Sequence, residues 1–358
     1  MPEPGRQSQS LRLVRVILSV AVIGLCAWLL HTMDLRQVAV TLRHADWRLI
    51  LLAMAINVGL NMVARATRWA LLVAPLPHRG AGARTFELWR LLLAAFALSN
   101  LVPARAGEAL RFMALSRRHG YPVGALIAAQ FFEKILECAS LVLLALPAAL
   151  TAQGASLARP VALVAAAAGG GAIIVLVIAA RARARGDAPV AAAPPPSPGF
   201  HPLARLGARL RSLVGHLAGA MRLLHSPRRW AAGLGLSVCA DLVDATMIGL
   251  ALTAVGIHLP VPVWFFILLA LNLAIAVPST PGQVGVLEAG VVVALIAFGV
   301  PKSQALAFAL LYHASHVLPT VALGVPFMWR EFGSPRRAAA VGLHPEAAAA
   351  EEPDAGRA

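Results

Sequence analysis

The chain has 358 residues, 59% of them hydrophobic and only 13% charged, with a formal net charge of +15. That apolar share excludes an ordinary soluble globule and indicates an all-α polytopic membrane protein. The positive charge does not imply a nucleic-acid partner, because the arginines gather in short segments between apolar runs, as cytoplasmic loops do.

In chain order, Arg6, Arg12 and Arg15 stand at the start of the first apolar run, residues 13–30, and place residues 1–12 in the cytoplasm. No small-residue cleavage site follows, so the run reads as a retained helix. Residues 31–47 are polar and fit an interfacial amphipathic helix. A second span, 49–72, returns to a loop carrying His78, Arg79 and Arg84. The next apolar run, 91–102, is far shorter than the roughly 20 residues of a full crossing. It leads into a Pro/Gly break holding Asn100, Pro103, Arg105, Gly107 and Glu108, then a helical stretch, 108–116, and Arg117, Arg118 and His119. With positive charge on both sides, this segment is expected to be a re-entrant hairpin that leaves on the face it came from.

Spans at 123–150 and 161–180 follow. Residues 181–229 hold nine arginines against one acid, Asp187, and must be cytoplasmic. Within the linker 182–229, the first part is Ala/Pro-rich and expected to be disordered. Residues 203–224 form a basic amphipathic helix suited to an anionic leaflet, or a solvated linker helix. A span at 230–255 precedes a second break, 278–285, flanked by arms 263–277 and 282–299. The last span, 304–329, ends at Arg330, Arg336 and Arg337, and residues 331–358 read as a disordered cytoplasmic tail. If the first break belonged to one complete crossing, every later loop would invert and nine arginines would lie outside. The second break fits either a re-entrant hairpin or two crossings. If re-entrant, the two hairpins oppose each other across the membrane, an inverted-repeat arrangement with a midplane site. About six full spans and two broken-helix hairpins result.

Non-helical backbone at membrane depth survives only where protein or a water-filled cavity surrounds it, so each break is a candidate site. In the second, Thr280, Pro281 and Gln283 have the pattern of a capping box with proline at the first helical position. A helix is therefore expected to begin at the break and aim free N–H groups at an anion. A proline-kinked helix with no ligand is the competing reading. Other polar residues recur at helical spacing inside the spans: Asn57, Asn61, Arg65 and Arg68; Glu133 and Glu137 beside Lys134; Asp241 and Asp244; His313 and His316. Ionisable groups at this depth are costly unless paired or hydrated. Arg65 and Arg68 either line the site or snorkel to the interface. The acidic pairs either partner Arg105 and Arg111 or touch substrate. Cys26, Cys138 and Cys239 have no metal spacing, and His313/His316 lacks a third ligand, so neither metal nor cofactor is expected.

Arg68-Trp69, Asn100-x-x-Pro103-x-Arg105-x-Gly107-Glu108-x-x-Arg111, Phe132-Glu133-Lys134-x-x-Glu137 and Pro278-x-Thr280-Pro281-Gly282-x-x-Gly285-x-x-Glu288 together resemble the lysylphosphatidylglycerol synthase transmembrane-region family. Its members are also described as flippase-like domain proteins. The resemblance covers about residues 12–330 and implies a flippase-like domain over 13–330 that moves a polar-headed lipid between leaflets. Relatives serve aminoacylated phospholipid, glycolipid or hopanoid pathways. It also implies Arg68, Asn100, Pro103, Arg105, Gly107, Glu108, Arg111, Glu133, Glu137, Pro278, Thr280, Pro281, Gly282, Glu288 and His313 as translocation residues; Asn272 joins them because the second break shares its asparagine, proline, glycine and glutamate residue types with the first. The chain departs from the family pattern at Lys134 and Glu137, at Gln283 in place of a glycine, and at His313 where an arginine is usual. The soluble aminoacyl-transferase domain of bifunctional synthases is not expected after residue 330, so lysyl transfer is not expected either. No G-x-x-x-x-G-K-[ST] loop occurs. Any energy must come from gradients or a partner. The expectation is a multi-pass inner-membrane lipid flippase or lipid-export factor, not an enzyme, whose partners are a membrane lipid and a lipid-synthesis enzyme. A membrane-embedded transferase and a non-catalytic subunit of a lipid-synthesis pathway are the rival readings.

Overall fold

The computed structural model describes residues 35–102, 106–151, 227–276 and 281–332. The expected spans at 13–30 and 161–180, nearly all of the 182–229 linker and the tail beyond 332 lie outside these residues, as do Pro103, Arg105, Pro278 and Thr280. All regular structure among the described residues is helical. Helix α1, Leu35–His44, is the amphipathic segment expected before the second span; it buries Val38, and Ser303 donates to its Gln37 at 2.9 Å. Asp46 then caps the 27-residue α2, Trp47–Val73, by accepting from the Arg48 N–H at 3.0 Å.

Helices α3, Thr85–Leu101, and α4, Ala106–His119, form the first hairpin. At 1.5 Å per residue they reach about 25 and 21 Å, short of the ~30 Å hydrocarbon thickness. Glu87 near the start of α3 accepts from Arg118 (3.1 Å) and meets His119 (3.0 Å) at the end of α4, so both open ends lie together. Gly107 sits where a Cβ would overlap the Ala95 carbonyl, and its absence lets the arms close. Helices α5, Val123–Thr151, and α6, Pro227–Ala254, are long. The Asp46 N–H donates to the Ala254 carbonyl at 2.9 Å, fixing the end of α6 beside the start of α2.

From that end descends α7, Val261–Ala276. A 3-10 turn, Pro281–Gln283, follows, and α8, Val286–Ile296, runs back toward the start of α9, Lys302–Phe332. Arms of 16 and 11 residues reach about 24 and 16 Å, too short for two crossings. The second break is therefore a hairpin entering from the end opposite the first. Gly290 closes its arms, since a Cβ there would stand 2.6 Å from the Ala274 Cβ. The helix starts later than the sequence suggests. Gly282 (φ 62), Gln283 (φ 61) and Gly285 (φ 89) all adopt left-handed backbone, which an α-helix cannot propagate. The cap is Gly285 with Glu288, not Thr280 with Gln283.

Among the described residues, three helices are long and apolar enough to cross a membrane: Trp47–Val73, Arg228–Ala254 and Lys302–Arg330. The chain is thus a polytopic all-α membrane protein. Helix α9 packs chiefly along α3. One apolar core gathers Ile50, Ile248, Ile267, Leu295 and Phe308 toward the Asp46 end; another gathers Trp69, Leu88, Leu115, Tyr121 and Phe132 toward the Arg79 end. Between them run two irregularities. Helix α2 makes a π-turn at Asn57–Asn61, and α9 carries Pro319, which offers no N–H to the Ser315 carbonyl. The Asn57 amide fills that vacancy, donating to the carbonyls of Ser315 and His316 at 3.4 Å.

Candidate functional site

The two breaks meet. The 3-10 turn packs against α3, and a Cβ on Gly282 would stand 3.3 Å from the Asn100 carbonyl. Asn100 is half-buried at the end of the first arm, while Gly282 is buried. Asn272 turns its amide back onto its own helix, donating to the Leu268 carbonyl at 2.9 Å. At this junction Glu288 accepts the Gly285 N–H through Oε2 (2.6 Å), and its Oε1 lies 2.6 Å from His313 Nδ1. The other His313 ring nitrogen, Nε2, lies 2.9 Å from the Gly282 carbonyl. One imidazole thus joins the last helix to the 3-10 turn and to the start of α8.

A buried network of charges runs below the junction, on α2, α4, α5, α6 and α9. Arg68, 1% exposed, donates through Nη2 to Glu133 (2.8 Å) and to Glu137, and through Nη1 to Ser237 (2.9 Å). It does not snorkel. Arg65 bridges Asp244 (2.8 Å) and Glu137 (3.3 Å) and donates through Nε to Asn61 (2.9 Å). Asn61 also donates to Asp244 at 2.5 Å, and His316 stands 3.6 Å from the same carboxylate. Lys134 reaches Glu137 at 2.8 Å. Arg111 contacts Glu133 at 3.4 Å, donates to Gln130, and lies over the Trp69 ring with its guanidinium 4.0 Å from the centroid. Glu108 is half-buried one turn before Arg111 on the same helix.

Among the described residues, which do not include Arg105, the acids pair mainly with Arg65 and Arg68 of the second span, and Arg111 contacts Glu133. Among the described residues, three donors in this region find no acceptor although buried: Arg68 Nε, Trp69 Nε1 and Arg111 Nε. Buried N–H groups are rarely left so. The sequence reading missed Gln130 and Ser237. Ser237 was detectable, since it precedes Asp241 by four residues and Asp244 by seven on one helical face.

Residues 14–324 match the family described as Lysylphosphatidylglycerol synthase TM region. The chain belongs to this family. No individual curated protein matches it. For this member of the lysylphosphatidylglycerol synthase transmembrane-region family, the match covers both hairpins and every helix that contributes to the charge network. It places the protein among membrane proteins of lipid metabolism. Among the described residues no cluster of three or more His, Cys, Asp or Glu could hold a metal ion.

Proposed function

We propose that the protein moves a polar-headed, phosphate-bearing lipid between leaflets, or supports its export, without covalent chemistry. The observation that carries this reading is the set of buried donors on Arg68, Trp69 and Arg111 that find no acceptor among the described residues. An anionic oxygen supplies what a chain of buried carboxylates already committed to cations does not. Arg111 lies about 7 Å along α4 from its first residue, hence close to where the hairpins meet. A headgroup there would leave its acyl chains in the bilayer. Opposed hairpins suit alternating exposure, because each closes one side. In this proposal the protein is multi-pass in the inner membrane with both termini cytoplasmic, its ligand is a membrane lipid, and a lipid-synthesis enzyme supplies or consumes that lipid.

The test is purified protein in phosphatidylcholine vesicles carrying fluorescent phosphatidylglycerol, with quenching from outside to count the outer-leaflet fraction. Wild type is expected to expose the inner pool, and Arg111→Gln to slow this at least about tenfold, as loss of a charge-assisted contact implies. No movement of anionic, glycosylated or neutral probes by wild type would overturn the proposal in favour of a non-catalytic subunit.

A further inference from the structure

The proton between His313 and Glu288 has a consequence for how the hairpins stay closed. A carbonyl oxygen only accepts, so Nε2, 2.9 Å from the Gly282 carbonyl, must carry a hydrogen. Nδ1 faces Glu288 Oε1 at 2.6 Å, a separation two lone pairs do not share without a proton between them. The pair therefore holds one additional proton, on either partner, and is neutral overall. The remaining carboxylate oxygen accepts the Gly285 N–H at 2.6 Å. A single line of three hydrogen bonds ties the left-handed Gly282, the last helix and the start of α8. Gly282 in turn backs onto Asn100 at the tip of the opposite hairpin.

We propose that His313 and Glu288 form a proton-binding site that latches the junction between the two hairpins, and that opening this junction requires release of the proton. This rests on the flippase reading for its link to lipid, but the site itself is defined by the chain's own atoms. With the proton gone, two acceptors face each other in a buried setting, and the carboxylate is driven from the imidazole. The Gly285 N–H and the Gly282 carbonyl then lose their fixed partners. Lipid movement would thereby be coupled to protons.

Other charged groups around α9 are few among the described residues. On α9 itself His316 lies one turn from His313 and faces Asp244 of α6, whose other oxygen is held by Arg65 of α2. Asp241 is the second acid on α6. Helix α3 brings Glu87 and Arg90 to the far end, where Arg90 lies over Phe327. Helix α1 brings Arg36, Arg43 and His44, and α2 brings Arg48, toward the Asp46 end near Ser303. The 3-10 turn and the α3 tip contribute only the neutral Gln283 and Asn100. None of these is paired with Glu288.

Glu288→Gln supplies a decisive variant. Its amide N–H can donate to Nδ1 of a neutral His313 while its oxygen accepts the Gly285 N–H, so the latch is kept without a removable proton. His313→Gln removes the proton from the other partner and serves if the first variant does not fold. Hydrogen exchange in detergent-solubilised full chain is measured from mildly acidic to mildly alkaline pH and expressed as protection factors over residues 285–290. Wild type is expected to lose about tenfold or more protection as pH rises, and Glu288→Gln to keep it. In vesicles, an imposed pH gradient should change the wild-type rate of fluorescent phosphatidylglycerol movement, and Glu288→Gln should be slow and indifferent to it. Equal, pH-independent protection in wild type and Glu288→Gln overturns the latch even if lipid moves. If wild type moves no lipid but its protection responds to pH and that of Glu288→Gln does not, the latch stands and the flippase reading falls.

Discussion

Replacing Arg68 by Met removes the most enclosed cation of the network while keeping most of its volume. The side chain is 1% exposed and serves Glu133, Glu137 and Ser237 at once. After the change Glu137 retains Arg65 at 3.3 Å and Lys134 at 2.8 Å, but among the described residues Glu133 keeps only the 3.4 Å contact to Arg111. Removing one partner of a buried ion pair costs about 3–5 kcal/mol, mostly by stranding the other charge. For a chain of this size that is a fall in Tm of about 4–7 °C. Lys134→Met is the control: its side chain is half-exposed, and such a pair is worth about 0–1 kcal/mol. Adding Glu133→Gln to Arg68→Met removes the stranded carboxylate and should recover about 1–3 kcal/mol, a coupling expected only of residues in contact. The assay is thermal unfolding of wild type, Arg68→Met, Glu133→Gln, Lys134→Met and the double variant in one detergent, followed by monodisperse fraction on size exclusion. If Arg68→Met melts no lower than Lys134→Met, or if the double variant shows the plain sum of its singles, the network is not organised around Arg68.

The remaining predictions touch different elements. Gly107→Ala should destabilise the first hairpin severely, because its Cβ meets the Ala95 carbonyl, whereas Gly235→Ala, open on its face of α6, should be neutral or gain up to about 1 kcal/mol; similar melting of both would contradict the close approach. Asn57→Leu should cost about 1–3 kcal/mol by orphaning the Ser315 carbonyl, and Pro319→Ala in that background should restore part of it by providing the missing N–H; no rescue would mean that the 3.4 Å contact carries nothing. Cysteines placed at Arg84, Arg118 and Arg205 should all resist an impermeant thiol reagent outside intact cells, and labelling at 118 alone would refute the shared face set by the Glu87 contacts.

Much of this architecture was legible because the rules that reveal it are local. Proline and glycine at 103–107 and 278–285 mark where helices stop, and arginine counts decide which loops share a face. The four-residue spacing of Glu133 and Glu137 puts both on one side of α5. What escaped depends on partners distant along the chain. Nothing near Glu133 says that its main cation is Arg68 rather than Arg111, since the choice is made by how α2 and α5 cross. The start of α8 escaped for another reason. Thr280, Pro281 and Gln283 satisfy a capping pattern, but Gln283 in left-handed backbone overrides it, and that conformation is imposed by packing against the Asn100 tip and by the His313 contact to the Gly282 carbonyl. His313 itself stood out as a departure from an arginine, yet a histidine alone does not disclose that both its nitrogens are engaged.

The shortness of α8 has an electrical meaning. Its 11 residues hold the His313 site about 16 Å from one face, roughly half of the ~30 Å over which a membrane potential falls. A proton arriving from that face therefore crosses about half the voltage, worth about 1.2 kcal/mol for each 100 mV. The proton affinity of the site should shift by about sevenfold over such a change in potential with pH held constant on both sides. A cell that loses its membrane potential would alter the junction between the hairpins even where no pH difference exists.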